Sequence, residues 1–182
     1  MEALVDSVLL YGAEVCGCCR QLQEVEQVQL RGYRVFLGVN RLHPKTSLQM
    51  EMDMLPLEWA AKKRSMAFWF RIMRMEESRL LRLVALEAAE LGRKVKWIED
   101  LHSNLAEIGW DNVDPQDLEA VSLKELGHMI NCGVWRAVID KWETDLESKP
   151  KLSVLREIYD RGYSARYVEV EDKKMRRILT KL

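Results

Sequence analysis

The chain's apolar positions recur at helical spacing, and no stretch of useful length alternates as a strand would. Leu22, Val25, Gln29, Gly32, Tyr33 and Phe36 fall on one helical face, and Gly38 after Leu37 suits a left-handed cap. Arg41 to Lys45 reads as a loop, because Pro44 pushes His43 into an extended conformation. Thr46 or Ser47 can then start a short helix toward Leu55-Pro56, and a longer helix is predicted from about Leu57 to Met75. Helices over Leu80–Leu91, closed by Gly92, and Val95–Ile108, closed by Gly109, come next. Asp114-Pro115 is a further helix start, with an oxygen-bearing cap followed by proline at the first helical position.

Ser122-Leu-Lys-Glu125 fits a capping box, in which two orphan amides are satisfied reciprocally. The pattern from there reaches about Glu147, with Gly127 and Gly133 weakening its middle. Pro150 opens a helix through Tyr159. A last helix has acids at its start (Glu169, Glu171, Asp172) and bases at its end (Lys173 to Lys181), the order the helix dipole favours. Its apolar stripe, Met175, Ile178, Leu179 and Leu182, is cut by the chain end, as in a segment taken from something longer. The fold predicted is all-α, an irregular multi-helix bundle with its softest boundary near Glu76 to Ser78.

Composition sharpens this reading. The chain has 182 residues, enough for one ordinary core or two small helical lobes, and only four prolines and nine glycines. Nearly half the residues are apolar, so a packed protein is expected and not a disordered one. The densest apolar run, Met66 to Phe70, is far short of a membrane span, and Met-Glu-Ala-Leu-Val-Asp lacks a signal peptide's positive start. An intracellular protein with no membrane partner is expected. Cys16, Cys18, Cys19 and Cys132 form neither a disulfide framework nor a recognised zinc spacing, so reduced thiols and no metal are expected.

The formal net charge of −1 conceals three charged blocks. Lys62 to Arg82 holds seven basic residues against Glu76 and Glu77, Trp97 to Glu119 is acidic throughout, and Lys173 to Lys181 is basic. Within the first block, helical spacing gathers Ala60, Lys63, Arg64, Ala67, Arg71 and Arg74 on one side of the Leu57–Met75 helix. Trp59, Met66, Trp69, Phe70 and Met73 take the other side, which is expected to be core. Cations separated by small alanines let a phosphate backbone come close while its charge is neutralised. The same pattern also describes a solvated basic helix face.

Catalytic chemistry is absent from the pattern. His43, His102 and His128 form no metal-ligand pair, the glycines stand singly, and no two aspartates are adjacent. Neither an enzyme nor a cofactor is expected. Trp59, Trp69, Trp97, Trp135 and Trp142 sit in helical patterns as core anchors, and Trp110 is the least committed of the six.

A resemblance then gives these features a context. Leu10-Tyr11-Gly12-Ala13-Glu14-Val15 resembles the segment after the last palm motif of LINE-type (non-LTR) retrotransposon reverse transcriptases. Leu22 to Val39 resembles that region's helix "LxxVQxxxxRxxLGV". Glu51 and Leu55-Pro56-Leu57 resemble the junction after it, and Trp59 to Met75 the basic-aromatic helix that follows. Later landmarks are Trp97-Ile98 to Gly109, Leu155-Arg156 to Tyr159, Tyr167, and Arg176 to Leu182. An aromatic is expected where Cys16 stands, a departure from the family pattern.

The resemblance implies a thumb-like helical lobe over residues 1–76 and a helical linker region over 77–182, truncated at its end. It implies a non-catalytic fragment that grips RNA–DNA or RNA duplex by its phosphates, with Lys63, Arg64, Arg71 and Arg74 as the contacts. The polymerase fingers and palm of the same polyprotein are the implied protein partner. The alternatives are a helical protein-interaction module, or a gene remnant without present function.

Overall fold

The computed structural model describes residues 10–16, 21–91, 95–111 and 120–149. Among them it is all-α: α1 (Ala13–Cys16), α2 (Gln21–Leu37), α3 (Lys45–Met52), α4 (Leu57–Met73), α5 (Leu80–Leu91), α6 (Lys96–Glu107) and α7 (Leu123–Ser148), with no strand. The predicted helices after Asp114, from Pro150 and near the C-terminus lie outside the described residues, as do Cys18 and Cys19. None of the helices described is long and apolar enough to cross a membrane.

Helix ends follow their local chemistry. Gly38 has φ +72°, and the Val39 amide reaches back to the Arg34 carbonyl at 3.1 Å, which closes α2 in a Schellman motif. Gly109, at φ +78°, closes α6 in the same way, with the Trp110 amide on the Leu105 carbonyl at 2.8 Å. At the start of α7, Glu125 accepts from the Ser122 amide at 3.0 Å while its own amide donates to Ser122 Oγ at 3.2 Å. That is the capping box expected of the sequence. Helix α4 stops at Met73, two residues short of the predicted end.

Contacts divide the described residues into two compact units, one within Met1–Arg20 and Leu57–Ala137, the other within Gln21–Pro56 and Val138–Leu182. Residues on both sides of position 76 thus contribute to the first unit. Its centre is α4, against which α1, α5 and α6 pack. Leu57, Trp59, Ala61, Met66, Trp69, Phe70 and Ile72 of α4 are buried, with Ile98, Leu101 and Leu105 of α6. Edge-on ring contacts join Trp69 to Trp97 at 5.8 Å and Phe70 to Trp110 at 6.0 Å, so Trp110 belongs to this packing. Gly133 of α7 lies against Ile108: a Cβ there would stand 3.2 Å from the isoleucine Cβ, which gives a mid-helix glycine its packing reason.

In the second unit, Leu30 and Leu37 of α2 and Leu48 of α3 form the core, bordered by Tyr33, Phe36, Val39 and Met52. The buried face of α2 carries Glu26, Gln29, Leu30 and Leu37, and Gly32 is exposed, a shift from the face expected. The shift has a polar cause: Glu26 accepts from Lys45 at 2.5 Å and from Gln49 at 3.2 Å, so a carboxylate and an amide are held inside. Thr46 donates to Asp145 within the same unit at 2.5 Å.

Candidate nucleic-acid interface

Burial covers most of the circumference of α4 and leaves one stripe, Ala60, Lys63, Arg64, Ala67 and Arg71, as the side without a fully buried residue, with Arg74 in the turn that follows the helix. This is the face predicted to be basic. The four cations are not equally exposed to solvent. Only Arg71 is exposed, while Lys63, Arg64 and Arg74 are half-buried.

Each of the four has its own setting. Lys63 donates to Asn131 Oδ1 at 3.1 Å. Burial, with the Arg64 charge beside it, holds the Lys63 ammonium below the ordinary lysine pKa. Arg64 donates through Nη1 to the Leu10 carbonyl at 2.9 Å, which ties α4 to the turn before α1. One of its five N–H donors is engaged in that bond. Arg74 is engaged in an interaction of its own. Of the opposite side, Trp59 and Trp69 are buried as expected, and Met73 is half-buried.

Lys62, the neighbouring cation, belongs to the interior. Its ammonium lies 3.1 Å from Glu58, 2.5 Å from Glu107 and 4.5 Å from the centre of the Trp59 ring. Burial alone would lower its pKa, but the hydrogen bond to Glu107 and the charges of Glu58 and Glu107 outweigh that and leave it raised. Lys62 is therefore structural, as its place outside the basic stripe implies.

Arg64 and Arg71 meet in a cleft of about 230 Å³ lined by Glu14, Arg64, Ala67, Phe68 and Arg71. Ala67, midway between the arginines in sequence, adds no bulk beyond its methyl group. Phe68 is half-buried and packs edge-on against Trp97 at 6.5 Å. Glu14 comes from α1, whose position is fixed by the Trp97 indole N–H donating to the Glu14 carbonyl at 3.2 Å. Its side-chain Oε2 is buried and accepts no hydrogen bond. Tyr11, next to the carbonyl that holds Arg64, is 92 % exposed. Glu14 and Tyr11 were not singled out from the sequence as site residues, although both lie in the segment that carries the family resemblance.

Two arginines on one cleft wall suit an anion, because guanidinium groups offer forked donors that match phosphate oxygens. Metal chemistry finds no support in the donor set: among the described residues no three His, Cys, Asp or Glu side chains gather. His43 is bonded to Ser47 Oγ at 2.8 Å and His128 to Cys132 Sγ at 3.5 Å, each far along the chain from the basic stripe. Neither a protein-family model, nor a curated protein, nor a solved structure matches this chain.

Proposed function

We propose that this chain is a non-catalytic helical lobe, similar to the thumb and linker region of a LINE-type reverse transcriptase, that grips an RNA–DNA or RNA duplex by its phosphates. The observation that carries the reading is the pairing of Arg64 and Arg71 in one cleft on the single unburied stripe of α4. Phosphate contacts position a duplex without reading its sequence, so such a lobe holds template and primer for a polymerase core supplied elsewhere. Lys63, next to Arg64 on α4, and Arg74, just past its end, add positive charge near this surface, which acts over a Debye length of about 8–10 Å. The fingers and palm of that polymerase are the natural protein partner.

A second reading, a protein-docking module, has its own observation. On α5 only Ala85 is buried, while Leu80, Leu83, Val84 and Leu91 are 74, 50, 52 and 48 % exposed. Contiguous apolar surface of this kind marks interaction sites. Salt separates the two readings. Fluorescence anisotropy of a labelled RNA–DNA duplex in a salt series should give a log–log slope of roughly −2 to −4, as two to four phosphates release counterions. Leu80→Ser with Leu83→Ser should leave that binding unchanged. No duplex binding at low salt contradicts the gripping role and removes the ground for preferring it to α5 docking.

A further inference from the structure

The cleft that joins Arg64 and Arg71 also contains an acid, and a site meant for phosphate alone would gain nothing from one. A carboxylate beside two guanidinium groups lowers the attraction for any anion. Its presence is explained when the ligand brings a hydrogen-bond donor together with its negative charge. The sugar–phosphate backbone of a nucleic acid does so only in RNA, whose 2′-hydroxyl is both donor and acceptor.

We infer that the α1–α4 cleft recognises a ribonucleotide unit of an RNA strand, with the phosphate on Arg64 and Arg71 and the 2′-hydroxyl donated to Glu14. The inference rests on the phosphate-gripping reading and adds the identity of the strand. Several observations converge on it. Glu14 and the two arginines line the same cavity of about 230 Å³, room for a sugar and a phosphate but not for a duplex. Glu14 Oε2 is buried and lacks a hydrogen-bond partner, a costly state for a carboxylate oxygen that turning the side chain toward a ligand hydroxyl would relieve. The backbone that carries Glu14 is held in place by the Trp97 indole N–H, which donates to the Glu14 carbonyl at 3.2 Å. Arg64 is anchored by the Leu10 carbonyl at 2.9 Å, and it lines the cleft together with Glu14. Tyr11, the residue after that anchor, is almost wholly exposed.

The test compares two duplexes of one sequence, an RNA–DNA hybrid and a hybrid whose RNA strand carries 2′-fluorine in place of hydroxyl. The fluorinated strand keeps the A-like shape but has no proton to donate, so shape and hydroxyl recognition are separated. The parent chain should bind the RNA hybrid about five-fold more tightly, the worth of one hydrogen bond of about 1 kcal/mol. Glu14→Ala should make the two affinities equal, chiefly by weakening the RNA hybrid. Glu14→Gln retains an acceptor oxygen and should retain most of the preference. Arg71→Ala should weaken both hybrids alike and leave the ratio intact. Equal binding of both hybrids by the parent overturns the inference while the gripping role stands. So does a ratio that Glu14→Ala leaves unchanged, or an equal loss for both hybrids on Glu14→Ala, which would make Glu14 a structural residue. No binding to either hybrid overturns the gripping role and this inference with it.

Discussion

Four cations on α4, Lys62, Lys63, Arg64 and Arg71, sit within ten residues, and burial decides what each does. Lys62 is enclosed by Glu58, Glu107 and the Trp59 ring, whereas Arg71 faces solvent. Lys62→Ala should destabilise the first unit by about 1–3 kcal/mol in a denaturant titration. That is below the cost of breaking a fully buried pair, because both acids remain accessible to water. Because the folded Lys62 pKa is raised, its contribution is complete below the unfolded lysine pKa and is lost as pH rises through the folded value. Glu51 gives the opposite end of the pH scale. Burial raises its carboxyl to about 7, and its Oε2 has no hydrogen-bond partner. Folding thus favours the protonated form: the stability it contributes is full below the unfolded carboxylate pKa and is lost as pH rises through about 7. Thermal melts at pH 5 and pH 8 should show Glu51→Gln stabilising the protein at the higher pH and narrowing the difference between the two.

At the scale of elements, what could be read from the sequence was what local chemistry decides. The glycines after α2 and α6 supply the left-handed turn that ends each helix, and Ser122 with Glu125 starts α7. Ser122→Ala should cost about 1 kcal/mol of stability, measurable by chemical denaturation, since it removes the acceptor for the Glu125 amide. The basic stripe of α4 was legible for the same reason: its small and charged residues share one side at helical spacing. The buried face of α2 was not. Gln29 lies on the face expected, but apolar periodicity has no means of finding Glu26 in the interior, because its burial depends on Lys45 and Gln49 arriving from another helix. Nor could spacing show that Lys63 and Arg64 are half-covered, since Asn131 and Leu10 are distant in sequence. Glu14 was illegible for a related reason, as nothing local sets an acid on α1 beside arginines on α4.

For the molecule as a whole, the all-α class followed from helical spacing, scarce proline and long apolar stripes, and the helices bear it out. The functional proposal depends on one surface, the Arg64–Arg71 cleft on α4, and on charge rather than on a shape fitted to particular bases. Its central claim is therefore a matter of counterions. The most direct measurement is the salt dependence of RNA–DNA duplex binding by the parent chain and by Arg71→Ala, whose exposed side chain can be removed with little effect on folding. Binding of the parent should fall linearly on a log–log plot, and the substitution should weaken binding equally for unrelated sequences and reduce the slope by about one. Parent and Arg71→Ala chains that bind with the same affinity and the same slope would contradict the account, because the duplex phosphates would then be held somewhere other than this cleft.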